Sequence, residues 1–233
     1  MKCPVCGLDN SDFKLRCKSC GAILQQRSRT LNLFEIVALI WKNPELAQKR
    51  ILLAEHRNLT FLIAIIESFA AGFAFLFAIK ATDTYSTYLP YLLLGGMIVS
   101  ILVFLPFLYL VPLIFYILAG VRRTGITIKG FVSAFIYSVH PLAFTSLVLI
   151  PVLVAVFGQY SFSNNPSPEV INPLPFYALI FLNVIVVLES LFFLWKLVFL
   201  IKPKPLPLFI LIVGLIIGAV FCCSSLSKYI LLH

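Results

Sequence analysis

The sequence predicts an all-α polytopic membrane protein with five transmembrane helices and a small cysteine-ligated module at the N-terminus. Three observations carry this reading. Of 233 residues, 61% are hydrophobic and 12% charged, with a mean hydropathy of +1.03. Soluble domains average about 25% charged residues, so this chain lacks the polar side chains to keep a globular surface wet. The apolar residues fall in long runs separated by short basic segments, and four of the six cysteines crowd into the first twenty residues.

Those four, Cys3, Cys6, Cys17 and Cys20, form two knuckles, CPVCG and CKSCG. Two CxxC pairs at this spacing can set four thiolates tetrahedrally around one Zn²⁺. Gly7 and Gly21 follow the second cysteine of each pair, where the chain must turn tightly. An iron site of the rubredoxin kind uses similar knuckles much further apart in sequence, and two disulfides would need an oxidising compartment. Residues 1–24 are too few to bury a core without metal or cross-links. The segment resembles the short zinc ribbon that opens many prokaryotic membrane and regulatory proteins. That resemblance implies a structural or docking role, with protein in all four positions and none open for catalysis.

Residues 25–58 join the ribbon to the membrane. After the polar QQRSRT comes LNLFEIVALIWKNP, about half the length a crossing needs. It reads as an interfacial helix capped by Asn32 with Glu35, with Trp41 and Lys42 at headgroup level and a buried packing helix as the alternative. Asn43-Pro44-Glu45 then opens a second helix, with Asn as N-cap and Pro in the first turn. Glu45 and Lys49 stand at i,i+4 spacing, and Lys49, Arg50 and Arg57 suit an anionic membrane surface.

The membrane domain spans 59–228, with crossings expected at about 59–80, 89–119, 131–158, 175–201 and 207–227, each long enough for a bilayer. Pro106 and Pro112 are expected to kink the long second segment without splitting it. Ten Lys/Arg precede the first crossing. Arg122, Arg123 and Lys129 lie between the second and third, and Lys196, Lys202 and Lys204 border the loop before the fifth. The other side receives only Lys80 and Lys228. By the positive-inside rule the N-terminus is cytosolic and the C-terminus outside. No apolar h-region precedes the first crossing, which is expected to serve as the targeting signal. The net charge of +9 is spread over these loops, a pattern that fits membrane orientation and anionic headgroups better than nucleic acid.

Small residues recur at helix-packing spacing: Gly214 and Gly218, extended by Cys222, in the fifth segment, and Ala64, Ser68 and Gly72 in the first. Packing within one bundle is the expectation, and homo-oligomerisation the alternative. Cys222 and Cys223 read as small packing residues near the outer end. The loop 159–174 has no Lys or Arg and reads as a solvated outer loop.

Glu67, His140 and Glu189 interrupt the apolar runs. The helical rise puts them roughly 12, 15 and 18 Å from the inner face, in one layer of the inner half. An ionised group there is costly unless paired or hydrated. The layer reads either as a hydrogen-bonded cluster that fixes packing or as a proton or cation relay.

The segment NPELAQKRILLAEHRN, five crossings with a cytosolic N-terminus, and GFVSAFIYSVHPLAF with Tyr137-Ser138 and Pro141 together resemble the Yip family of membrane proteins. The resemblance covers about residues 31–228. It implies a non-enzymatic protein associated with membrane trafficking, membrane shaping and GTPase recruitment in eukaryotes. The acidic-aromatic cytosolic motif of eukaryotic members is absent, with the cysteine segment in its place. Rab binding is therefore not carried over, and a prokaryotic homologue in the cytoplasmic membrane is expected. The sequence has no Gly-x-Ser-Gly nucleophile, no HExxH site and no paired aspartates on facing crossings. The expected role is a scaffold or adaptor that docks a cytosolic or membrane protein through the ribbon, with a small transporter or channel as the alternative.

Overall fold

The computed structural model describes residues 1–10, 14–25, 30–57, 59–84 and 88–201. In chain order its principal helices are α1 (Leu33–Lys42), α2 (Pro44–Leu53), α3 (Thr60–Ala78), α4 (Leu89–Leu118), α5 (Ile128–Ser138), α6 (Leu142–Phe162) and α7 (Pro173–Ile201). Of these, α3, α4, α6 and α7 are long and apolar enough to cross a membrane. The expected crossing at 207–227, with Gly214, Gly218, Cys222 and Cys223, lies outside the described residues.

Helices α1 and α2 form where the sequence caps them. The Asn32 side chain accepts from the amides of Phe34 and Glu35, and that of Asn43 accepts from Leu46. Asn43 ends one helix and starts the next, because Pro44 has no amide hydrogen to extend α1 but fits the first turn of α2. Both helices belong to the main core. Ile36 and Ile40 of α1 and Ala47 and Ile51 of α2 are buried with Phe131 and Phe135 of α5, Phe115 of α4 and Leu194 and Leu197 of α7. The stretch expected to lie on the membrane surface is thus one flank of the bundle. Its ion pairs are also longer in range than i,i+4 spacing suggests. Arg50 pairs with Glu35 at 2.6 Å, and Glu45 with Lys196 of α7 at 3.3 Å.

The segment expected to cross at 131–158 divides in two. Gly130 to Ser138 of α5 are all buried, and the helix stops at Val139. Pro141 lacks an amide hydrogen and its ring disfavours helical geometry at His140, so the ladder cannot run on. The long apolar run begins afresh as α6. Three other prolines, Pro106, Pro112 and Pro151, are absorbed without a break. Ser100–Phe104 in α4 and Thr145–Leu149 in α6 are π-helical, and each ends two residues before a proline, Pro106 and Pro151. Widening the turn makes room for the ring against the preceding carbonyls. Helix α4 therefore runs as one piece, as its sequence suggests.

Helices α3 and α4 touch along small residues. A Cβ on Gly72 would lie 1.9 Å from Ser100 Oγ and 2.8 Å from the Gly96 carbonyl oxygen. Ser68 and Ala64, one and two turns earlier, are fully buried on the same stripe. At the far end Phe162 is buried with Phe73, Leu76, Ala81 and Leu92. Asp83 accepts from the Ser163 hydroxyl and the Asn164 amide, and Thr82 donates to Gln159. The start of the 159–174 loop is thus folded onto the turn after α3, where the sequence suggested a solvated connection.

Candidate metal centre and the buried polar residues

The two knuckles fold alike. In each, the first cysteine's amide donates to a carbonyl five residues on, Cys3 to Leu8 and Cys17 to Ala22. Gly7 and Gly21 donate back to the carbonyls of Cys3 and Cys17. Both glycines have positive φ, +70° and +72°, with open space where a Cβ would stand. Backbone conformation, and not crowding, is what demands glycine there. Antiparallel bridges Lys2–Asp9 and Arg16–Ile23 close the two turns.

This folding brings all four cysteine sulfurs within 4.8 Å of one another as free thiols. The shortest approaches link the knuckles, Cys3 to Cys20 and Cys6 to Cys17, each at 3.5 Å. A tetrahedral site with metal–sulfur bonds of ~2.3 Å has sulfur–sulfur edges of roughly 3.8 Å, so the cluster fits a single ion. Its electrostatics agree. The amides of Cys20 and Ser19 hold the Cys17 thiol down at about 6. Those of Cys6 and Val5 lower Cys3. For Cys20 the Ala22 amide also lowers, but burial and the sulfurs of Cys3, Cys6 and Cys17 outweigh it and push the thiol up to about 12. Some sulfurs are prepared to be thiolates, yet together they resist ionising without a cation among them.

Asn10, buried between the knuckles, was not singled out from the sequence. Its Nδ2 donates to Leu8 and to Cys17 Sγ, and its Oδ1 accepts from the Lys18 amide. It joins one knuckle to the other and gives Cys17 Sγ a hydrogen bond of the kind that would orient a metal ligand. Only its place four residues after Cys6 sets it apart, and polar residues are common in such turns.

Glu67, His140 and Glu189 are not one hydrogen-bonded layer. His140 sits at the break between α5 and α6. Its Nδ1 lies 2.9 Å from the Tyr137 carbonyl, and its Nε2 accepts from Trp41 Nε1 at 3.1 Å. Both bonds hold together only for a neutral ring with its proton on Nδ1. The ring also stacks on Phe193 of α7, and Trp41 meets both rings edge-on. His140 thus recovers a carbonyl freed by the broken helix and pins α1 and α7 to it. Glu67, only 1% exposed, has neither carboxyl oxygen hydrogen-bonded. Glu189 is half-buried, and among the described residues no hydrogen bond or ion pair joins it to the other two. Gln48 of α2 is a further buried polar residue, donating to Ser138 Oγ and the Phe193 carbonyl.

Compared with protein families, with curated proteins and with solved structures, the chain matches none.

Proposed function

We propose that this chain is a non-enzymatic membrane scaffold or adaptor of the Yip-like type. Its four N-terminal cysteines hold one structural Zn²⁺, and the folded knuckles dock a protein partner on the cytosolic side of a prokaryotic cytoplasmic membrane. Five crossings, the fifth at 207–227, put the C-terminus outside. The observation that carries the reading is a closed sulfur cluster beside exposed apolar side chains. Four thiolates fill a tetrahedral ion's coordination and leave no position for substrate. Zinc in such a set has no redox chemistry and serves to fold the segment. Around the cluster Val5 is 72% and Ile23 62% exposed. Apolar side chains set on a metal-stapled turn suit a rigid docking surface.

The test is crosslinking in cells followed by purification. Crosslinked partners of the wild type are expected to vanish in the Cys3→Ser/Cys6→Ser variant, which cannot hold metal. They are also expected to vanish in Val5→Ser/Ile23→Ser, which keeps it. Identical partners in all three would end the docking reading.

A small transporter or channel is the second reading, favoured by the unpartnered Glu67 carboxyl in the bundle interior. An orphaned buried carboxyl is what a proton or cation site presents when its ion is away. Ion-dependent flux in proteoliposomes, abolished by Glu67→Gln, would favour it over the scaffold.

A further inference from the structure

Between the second knuckle and the ends of α2, α4 and α5 lies a cleft of about 860 Å³. Among the described residues, the charged side chains that line it are Lys14, Arg16, Arg57 and Lys129, with Glu55 the one carboxylate. Among the described residues no carboxylate lies in ion-pair range of Lys14, Arg16 or Lys129. On this concave surface the cations unpaired among the described residues, Lys14, Arg16 and Lys129, make a focused positive field.

The cleft is built, and not a chance meeting of surface lysines. Arg57 is held by bonds from Nε to the Ile51 carbonyl and from Nη2 to that of Leu52, the last turn of α2. Its guanidinium packs where Gly130 has no side chain: a Cβ there would stand 3.2 Å from Arg57 Nη2 and 2.9 Å from the Leu52 oxygen. Tyr116 fixes the floor by donating to the Ile126 carbonyl at 2.7 Å. The Lys14 stem lies against Gly125, 3.8 Å from where its Cβ would be. Thr127 caps α5, whose N-terminal end lines the same cleft and adds partial positive charge to that of the side chains.

We propose that this cleft binds a phosphate-bearing anion, which clamps the knuckle segment carrying Lys14 and Arg16 to Lys129 of the membrane domain. Arg and Lys in this mixture suit phosphate oxygens, the Arg16 guanidinium as a fork and the ammonium groups of Lys14 and Lys129 as point charges. The volume has room for a group attached to the phosphate. Either a lipid headgroup or a soluble phosphate compound supplies this chemistry. The site rests on the folded second knuckle, and so on the metal proposed to hold it, but not on the scaffold role.

The test uses the full chain in nanodiscs of zwitterionic phosphatidylcholine, titrated calorimetrically. One arm adds inorganic phosphate, and the other adds dioctanoyl phosphatidic acid, with dioctanoyl phosphatidylcholine as its neutral counterpart. Saturable binding of at least one anionic probe is expected, weakened about tenfold or more in Arg16→Gln/Lys129→Gln. The charge-matched Lys42→Gln/Lys49→Gln, outside the cleft, is expected to bind as the wild type does. Lys129→Gln alone leaves the knuckles untouched and is expected to weaken binding too. Saturation by phosphatidic acid alone identifies a headgroup; saturation by inorganic phosphate identifies a soluble source. No saturable binding of either anion, equal binding of the neutral lipid, or equal loss in both double variants overturns the proposal. Metal content measured on the same samples keeps this outcome separate from any failure of the zinc reading.

Discussion

Substituting alanine for Gly72 tests whether α3 and α4 are held by close backbone approach. The new Cβ would lie 1.9 Å from Ser100 Oγ, 3.0 Å from Ser100 Cβ and 2.8 Å from the Gly96 carbonyl oxygen. Ordinary contact needs roughly 3.5 Å. The Ser100 hydroxyl can rotate away, but it then gives up its 2.6 Å bond to Gly96, at a cost of about 0.5–1.5 kcal/mol. The Gly96 oxygen is backbone and cannot turn aside, so the helices must part, with an overpacking cost of about 1–3 kcal/mol. Alanine's better helix propensity returns about 1 kcal/mol. The net expectation is a loss of about 0.5–3.5 kcal/mol. Reversible unfolding by dodecyl sulfate in mixed micelles, followed by helical circular dichroism, measures it. Gly95→Ala is the control, because nothing lies within 4 Å of its added Cβ, and it should be neutral or stabilising. Ser100→Ala in the Gly72→Ala background should recover part of the loss. A Gly72→Ala protein as stable as the wild type would refute the close-approach argument.

Other consequences can be read in similar assays. Trp41→Phe keeps an edge-on ring but leaves His140 Nε2 without its donor, and should cost about 1–3 kcal/mol; an unchanged unfolding midpoint would show that the bond does not hold α1 to the bundle. Glu67→Met loses no hydrogen bond and removes a carboxyl that burial disfavours, so thermal stability in detergent should hold or rise. A clear fall would reveal a partner for that carboxyl. Cysteines introduced at 122–129 should be shielded from an impermeant maleimide in intact cells while those at 159–174 label, and the reverse pattern would overturn the orientation.

Local chemistry made much of this fold legible. Asn32 and Asn43 mark helix starts because their side chains satisfy amides within the next turn, a bond that needs no distant partner. The cysteine knuckles and the Ala64, Ser68, Gly72 stripe likewise declare themselves by spacing. What could not be read depended on the third dimension. Pro106 and Pro141 look alike in sequence, yet one sits in a continuous helix and the other at a break. The difference lies in what surrounds them: a π-turn relieves the first, while the His140 ring takes up the Tyr137 carbonyl beside the second. Glu45 has Lys49 at helical spacing, but Lys196, 151 residues away, is the partner that packing delivers. Depth alone suggested a layer of Glu67, His140 and Glu189, since helical rise gives height and not the direction a side chain faces. Asn10 is hidden because its value comes from joining two turns that only the folded N-terminal segment brings together.

Elemental analysis of the full chain, purified under reducing conditions without added metal, tests the central claim most directly. One zinc per chain is expected, with none retained by the Cys3→Ser/Cys6→Ser variant, because four sulfurs within 4.8 Å of one another suit a single tetrahedral ion. Iron in its place, or four reduced thiols with no metal, would contradict it.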